Sequence, residues 1–314
     1  MIAQPFRGTD PPGIPARLES RPVPELPDLA ILADAFHAGL SRRTLRSAEV
    51  RHPFVLRATP AEVTALRGQR LDSVARRGKF LVFAFERDRL VANAMLSGRF
   101  RMSVAEAPRR PPGAREALLF AFGPRTLPPD DLAGWTSDAP WLPPDEATVE
   151  LGYRDATQMG RLYLLPARSS RPVPGWQEQG PDADDPQLDL EEWRRRIRRH
   201  PGELKALLRN QAFVAGIGNA YSDEILHAAQ LLPFRKRTTL AAEEVDALYE
   251  STRSVLNRAI GVLRERVPPT FETEVRDFLA IHNKGGQPCP RCGTRLTEVS
   301  AGGTATSYCR GCQR

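Results

Sequence analysis

Three patterns in the 314-residue sequence predict an α+β fold built from several domains. Short apolar runs broken by turn residues occupy residues 80–165, stripes at helical spacing follow between Trp193 and Leu263, and all four cysteines fall in the final stretch from Cys289 to Cys312. These patterns predict an N-terminal β-sandwich carrying one early helix, then a helical domain, then a small C-terminal cysteine module. Domains commonly span roughly 100–150 residues, so two such bodies and a small appendage fit the length.

Residues 1–23 hold prolines and glycines, few large apolar residues and no periodicity, which predicts an unstructured lead. Order is expected from residue 24. Leu29, Leu32, Ala33, Phe36 and Leu40 recur at helical spacing, with Asp28 placed to cap the first turn. Strands are predicted at Phe80–Phe85, Leu90–Leu96, Leu118–Phe122, Val149–Tyr153 and Arg161–Leu165, with a proline-rich, acidic surface loop at 123–148. A second proline-rich stretch ends the first domain, giving expected boundaries of 24–166 for the sandwich and 167–186 for a linker. Beyond it, Trp193–Arg199 and Leu204–Ala212 are expected helices. Val245, Leu248, Tyr249, Thr252, Leu256, Ala259, Ile260 and Leu263 form one long apolar stripe, read as a core face. The helical domain is expected to end near 283 and the cysteine module to fill 284–314.

In that module, Cys289-Pro-Arg-Cys292 and Cys309-Arg-Gly-Cys312 stand sixteen residues apart. Two such turns aim four thiolates at one point, which suits a single tetrahedral zinc ion with no open position, hence a structural metal. Two disulfides are the competing reading. The sequence shows nothing like a secretion signal, and a reducing compartment disfavours them, so a cytoplasmic protein is expected. A net charge of +7 and an isoelectric point near 9.6 point to an anionic partner. No apolar run approaches the roughly 18 residues of a membrane span. Only Lys79, Lys205, Lys236 and Lys284 break an otherwise all-arginine basic complement, which makes each lysine worth locating.

The segment Phe213-Val-Ala-Gly216-Ile-Gly218-Asn219-Ala-Tyr-Ser-Asp223-Glu224-Ile-Leu226 sets two glycines before a helix start, where backbone amides approach an anion. By itself that pattern also fits a plain interhelix turn. It nevertheless resembles the helix-two-turns-helix signature of the formamidopyrimidine-DNA glycosylase and endonuclease VIII family. Pro24-Glu25-Leu26-Pro27-Asp28, Arg76-Arg77-Gly78-Lys79-Phe80 and the approach Ile281–Cys289 resemble further motifs of that family, in the same order. The resemblance runs from residue 24 to the C-terminus.

It implies a DNA repair glycosylase with associated lyase activity, acting as a monomer on double-stranded DNA that carries damaged or abasic nucleotides. Pro24 would be the nucleophile, Glu25 the acid/base at the sugar, Lys79 a cation beside the substrate phosphate, and Asn219 and Lys284 phosphate contacts. Cys289, Cys292, Cys309 and Cys312 would hold one zinc ion.

The sequence departs from the family in three places. Pro24 is internal as numbered, so its nitrogen is an amide; an initiation codon at Val23 followed by removal of the initiating residue would free it. Thr304 stands where the family has a phosphate-gripping arginine in the finger, trading a charged bidentate donor for one hydroxyl. The duplex-filling positions are Leu96, Gln158 and Met159, a set able to wedge into a base step without the usual arginines. Two other readings follow from these departures: a noncatalytic protein binding damaged or structured DNA, and a zinc-containing scaffold that binds RNA or protein.

Overall fold

A computed structural model describes residues 23–105, 116–167, 171–301 and 304–314. Most of the expected lead lies outside the described residues. Chain order is α1 (Leu26–Leu40), β1 (Arg43–Val50), α2 (Pro60–Thr64), β2 (Leu71–Arg77), β3 (Phe80–Phe85), β4 (Arg89–Asn93), β5 (Gly98–Val104), β6 (Glu116–Arg125), β7 (Val149–Asp155) and β8 (Arg161–Leu165). Helices α3 (Leu190–Ile197), α4 (Leu204–Arg209), α5 (Asn219–Ala228) and α6 (Ala242–Arg266) follow, and a hairpin of β9 (Thr297–Ala301) and β10 (Thr304–Tyr308) ends the chain.

Two antiparallel four-stranded sheets, ordered β1-β6-β7-β5 and β2-β3-β4-β8, face one another. Their inner faces follow from strand alternation: Phe83 and Phe85 on one sheet meet Phe100, Phe120 and Phe122 on the other. Helix α1 closes the sandwich with Phe36, whose ring touches Phe83, Phe100 and Phe271. That helix begins at Leu26, earlier than the apolar stripe predicts. Pro27 fits the first turn, where no intrahelical donor is missed, and Asp28 Oδ2 accepts the Glu25 amide at 2.8 Å.

The strand pattern of the sequence misses β1, β2 and β5. In β1 the cause is Arg43, a fully buried arginine where an apolar residue is expected. Its guanidinium donates to the carbonyls of Gly39 (2.8 Å), Pro144 (2.7 Å) and Ala147 (2.7 Å), which satisfies the charge inside the sheet edge. The same bonds pin the 123–148 stretch, and Trp135 and Trp141 pack from it against the sandwich core. From residue 126 onward it is the irregular, largely exposed loop expected, anchored to the sandwich by these contacts. The predicted strand at Leu90–Leu96 stops at Asn93, because residues 94–97 turn.

The helical body has its own core around Trp193, Leu208, Phe213, Tyr221 and Leu256, and α6 presents Leu248, Thr252, Leu256, Ala259 and Leu263 as the expected stripe. The C-terminal end of α6 reaches the sandwich, where Leu263, Val267 and Phe271 join its core. Among the described residues no helix is long and apolar enough to cross a membrane.

Candidate active site and nucleic-acid interface

Gly216 and Gly218 place the N-terminus of α5 against the start of α1. The Gly216 carbonyl accepts the Leu26 amide at 3.0 Å, and the anion at the helix end is Glu25 itself. The Glu25 carboxylate takes the amides of Gly218 (2.6 Å), Ala220 (2.8 Å) and Tyr221 (3.2 Å), with only 3% of the residue exposed. A helix N-terminus stabilises a carboxylate through its dipole and free amides. The anion expected at this helix start is therefore an internal carboxylate. Lys79, on the β2–β3 turn, is partly buried; burial lowers its pKa, the Glu25 charge opposes that shift, and Arg209 adds to it.

Pro24 is buried immediately before Glu25 and lines a small cavity with Asp28, Leu32, Phe100, Phe271 and Glu274. Arg99 and Glu274 pair across that cavity at 2.7 Å. Burial pushes the Glu274 carboxyl up to about 8 even though Arg99 pulls the other way. Arg276, from the same segment, bonds Asp28 at 2.5 Å and lies over the Tyr221 ring at 5.1 Å. Burial likewise raises the Asp28 carboxyl. Of these groups, Arg99 lies three residues after the duplex-filling candidate Leu96, but Glu274 and Arg276 carry no motif at all.

Leu96 and Gln158 come together on neighbouring turns. Ser97 Oγ meets Thr157 Oγ1 at 2.6 Å, accepts the Thr157 amide at 3.0 Å, and also bonds Asp155. Gln158 sits at φ 56°, a left-handed position, and its amide donates to Asp155 at 3.0 Å. Leu96 is 37% exposed and Met159 39% exposed, so an apolar ridge projects from this pair of turns. Gly98 and Ala94 of the first turn line the cavity beside Pro24.

The four cysteine Sγ atoms lie within 4.8 Å of one another, with Cys289–Cys312 at 3.8 Å and Cys292–Cys309 at 3.5 Å. Tetrahedral zinc with sulfur at ~2.3 Å has sulfur–sulfur edges of about 3.8 Å. The set fits one zinc ion, and the separations rule out disulfides, whose sulfurs lie at ~2.05 Å. The ion's role is structural: four thiolates close the shell and tie the turn before β9 to the turn after β10.

Acidic residues of the α5 motif dock the finger. Glu224 accepts the amides of Ala280 (2.7 Å), Ile281 (2.8 Å) and His282 (2.9 Å), while Asp223 meets Lys205 (2.5 Å), His282 (2.8 Å) and the Ser307 amide (3.2 Å). Asn219 Nδ2 donates to the Ala305 carbonyl at 2.9 Å, and Lys284 Nζ binds the Leu279 and Asp277 carbonyls. Both expected phosphate donors are thus engaged with protein carbonyls. Thr304 opens β10, half-buried and paired through its backbone with Ala301.

Comparison with known proteins agrees along the chain. Residues 23–131 match the formamidopyrimidine-DNA glycosylase N-terminal domain, 179–267 the H2TH domain of the same glycosylase, and 286–314 the zinc finger found in FPG and IleRS. Similar proteins include the formamidopyrimidine-DNA glycosylases of Thermomicrobium roseum (32% identity, covering 93% of this chain and 99% of that one) and Symbiobacterium thermophilum (30%, covering 93% and 89%). Among solved structures, a mutant of the Lactococcus lactis FPG in complex with Fapy-dG containing DNA superposes with a TM-score of 0.75 at 23% identity, covering 93% of this chain and all of that one. The Lactococcus lactis Fpg complex with abasic-site DNA gives 0.75 at 22% identity, covering 92% and 99%. The chain belongs to the formamidopyrimidine-DNA glycosylase family of DNA repair enzymes.

Proposed function

We propose that this glycosylase excises a damaged base from duplex DNA and then cleaves the strand through a Schiff base on Pro24. The observation that carries the reading is the adjacency of Pro24, lining a cavity, to a Glu25 carboxylate fixed by three amides of α5. The Pro24 nitrogen attacks C1′ of a flipped nucleotide, and the bond from C1′ to the base breaks, the base leaving with the electron pair and taking up a proton. Glu25 takes the proton that the Pro24 nitrogen sheds after its attack and returns it to O4′ as the C1′–O4′ bond opens to the iminium. Loss of a C2′ proton expels the 3′ phosphate, and hydrolysis of the iminium restores the amine.

The step requires a lone pair on nitrogen, which an amide lacks. The working nucleophile is therefore a Pro24 with nothing bonded ahead of it. The match to the family's N-terminal domain begins at residue 23, immediately before Pro24, in keeping with this requirement. Lys79 supplies a cation beside the phosphate of the flipped nucleotide. Leu96 and Gln158, with Met159, fill the space it vacates. Asn219, Lys284 and Thr304 line the backbone path, the first two after exchanging their carbonyl partners for phosphate. Partners of the kind found with the Lactococcus lactis proteins, DNA containing Fapy-dG or an abasic site, are the expected substrates.

Borohydride trapping on abasic duplex tests the reading. Protein beginning at Pro24 should yield a covalent adduct, and protein retaining residues 1–23 should yield little. Absence of adduct from both, with binding retained, overturns the nucleophile assignment and favours the noncatalytic DNA-binding reading, which the carbonyl-bound state of Asn219 and Lys284 would then explain.

A further inference from the structure

We propose that His227, on the last turn of α5, is the hydrogen-bond donor that keeps the Cys289 thiolate on the zinc ion and so sets how long the finger retains its metal. The proposal concerns the metal alone and stands whether or not Pro24 is the nucleophile.

Three observations carry it. His227 Nε2 lies 3.3 Å from Cys289 Sγ, hydrogen-bond distance for a sulfur partner, and the two residues are 5% and 3% exposed. The contact joins two bodies: Cys292 takes the amide and hydroxyl of Thr294, and Cys309 the amides of Gly311 and Cys312, all from within the finger, whereas His227 reaches Cys289 from the helical body. The segment that follows His227 is also held against the finger. Arg291 donates to the Ala228 carbonyl (3.2 Å), Gln313 to the Leu231 carbonyl (2.8 Å), the Leu232 amide to the Arg314 carbonyl (2.9 Å) and the Arg314 amide to the Gln230 carbonyl (2.9 Å).

A zinc-bound cysteine is a thiolate, which accepts hydrogen bonds and has no proton to donate. The proton in this contact therefore belongs to His227 Nε2. Four thiolates around a dication leave a net negative charge, and Cys289, Cys309 and Cys312 are buried, so N–H groups must replace the water that burial removes. A donor to Cys289 draws charge off that sulfur and slows the protonation by which a thiolate leaves its metal. His227 is not itself a ligand, because the four sulfurs already complete the tetrahedron. The bond also places the metal site at one end of the helix whose first amides hold Glu25 at the other.

The test is release of zinc from the zinc-loaded, full-length protein into excess chelator, followed with a zinc-sensitive dye. His227→Phe keeps a ring of similar size without the donor and should release zinc faster by about tenfold or more, the scale on which partners of metal ligands act. His227→Gln sets an N–H near the same point and should restore most of the difference. With cobalt in place of zinc, the thiolate-to-metal charge-transfer band should move to longer wavelength in His227→Phe and return in His227→Gln, because losing a hydrogen bond raises the energy of the sulfur lone pair. Unchanged release from His227→Phe overturns the proposal, as do equally fast release from both variants or an unmoved band, which would reduce His227 to packing. If the variants fail to fold, nitrogen NMR of the unaltered zinc-loaded protein decides: a protonated His227 Nε2 is expected, and a bare Nε2 overturns the proposal.

Discussion

Gly218→Ala isolates the contact between Glu25 and α5. The glycine has φ −126°, which any residue adopts, so the substitution adds no backbone strain. Its new Cβ would stand 2.5 Å from Glu25 Cδ and 2.7 Å from Oε1, closer than real contacts allow. The carboxylate must shift, and at 3% exposure no water takes the place of the amides at 2.6, 2.8 and 3.2 Å. Overpacking costs ~1–3 kcal/mol, and each charge-assisted hydrogen bond lost costs ~1.5–3 kcal/mol. Since a small shift weakens the three bonds without abolishing them, a net loss of about 3 kcal/mol is expected. Urea unfolding of Gly218→Ala, Glu25→Ala and the double variant measures it. The double variant should be less than ~1 kcal/mol below Glu25→Ala, because the clash has no target once the carboxylate is gone. Full additivity would refute the reasoning. Borohydride trapping by Gly218→Ala should fall by about two orders of magnitude, following the misplaced acid/base group.

Glu274 makes a pH-dependent contribution among Arg99, Arg276, Asp28 and Glu25. Its pKa is raised from 4.5 to about 8 on folding, so the folded state binds the proton more tightly and stability declines as pH rises from about 4.5 to about 8, then levels off. Relative to Glu274→Gln, which lacks the titration, the unaltered protein should lose on the order of 4 kcal/mol across that window, read from urea midpoints at its two ends; an identical pH dependence would remove the assignment. Asp223→Asn should cost ~3–5 kcal/mol by leaving the buried Lys205 without its counter-charge, measured in the same way, and should loosen the finger as seen by hydrogen exchange at Ser307. Cys309→Ser should drop bound zinc from one ion per chain toward none by elemental analysis and abolish duplex binding; full zinc content would contradict the four-thiolate site.

The parts of this protein whose physics is local were readable from the chain alone. Cysteine spacing defined the zinc site because a tight turn sets two sulfurs side by side, and the α6 stripe was legible because helical periodicity repeats within a few residues. Pro24, Glu25, Lys79 and Asn219 were identified as candidates through their motifs. How those motifs act on one another emerged with tertiary packing. Glu25 and the α5 amides meet across nearly two hundred residues of chain, so the apparent anion site of Gly216 and Gly218 is filled from within. Arg43 lies outside every predicted strand, yet it is buried because the carbonyls of a distant excursion converge on it. Arg99 and Glu274 belong to different elements, and only the packing of the segment after α6 against α1 brings opposite charges together at one cavity beside Pro24. Burial and pairing are properties of the closed chain, which is why the candidate nucleophile was legible from its neighbours and the pocket it faces was not.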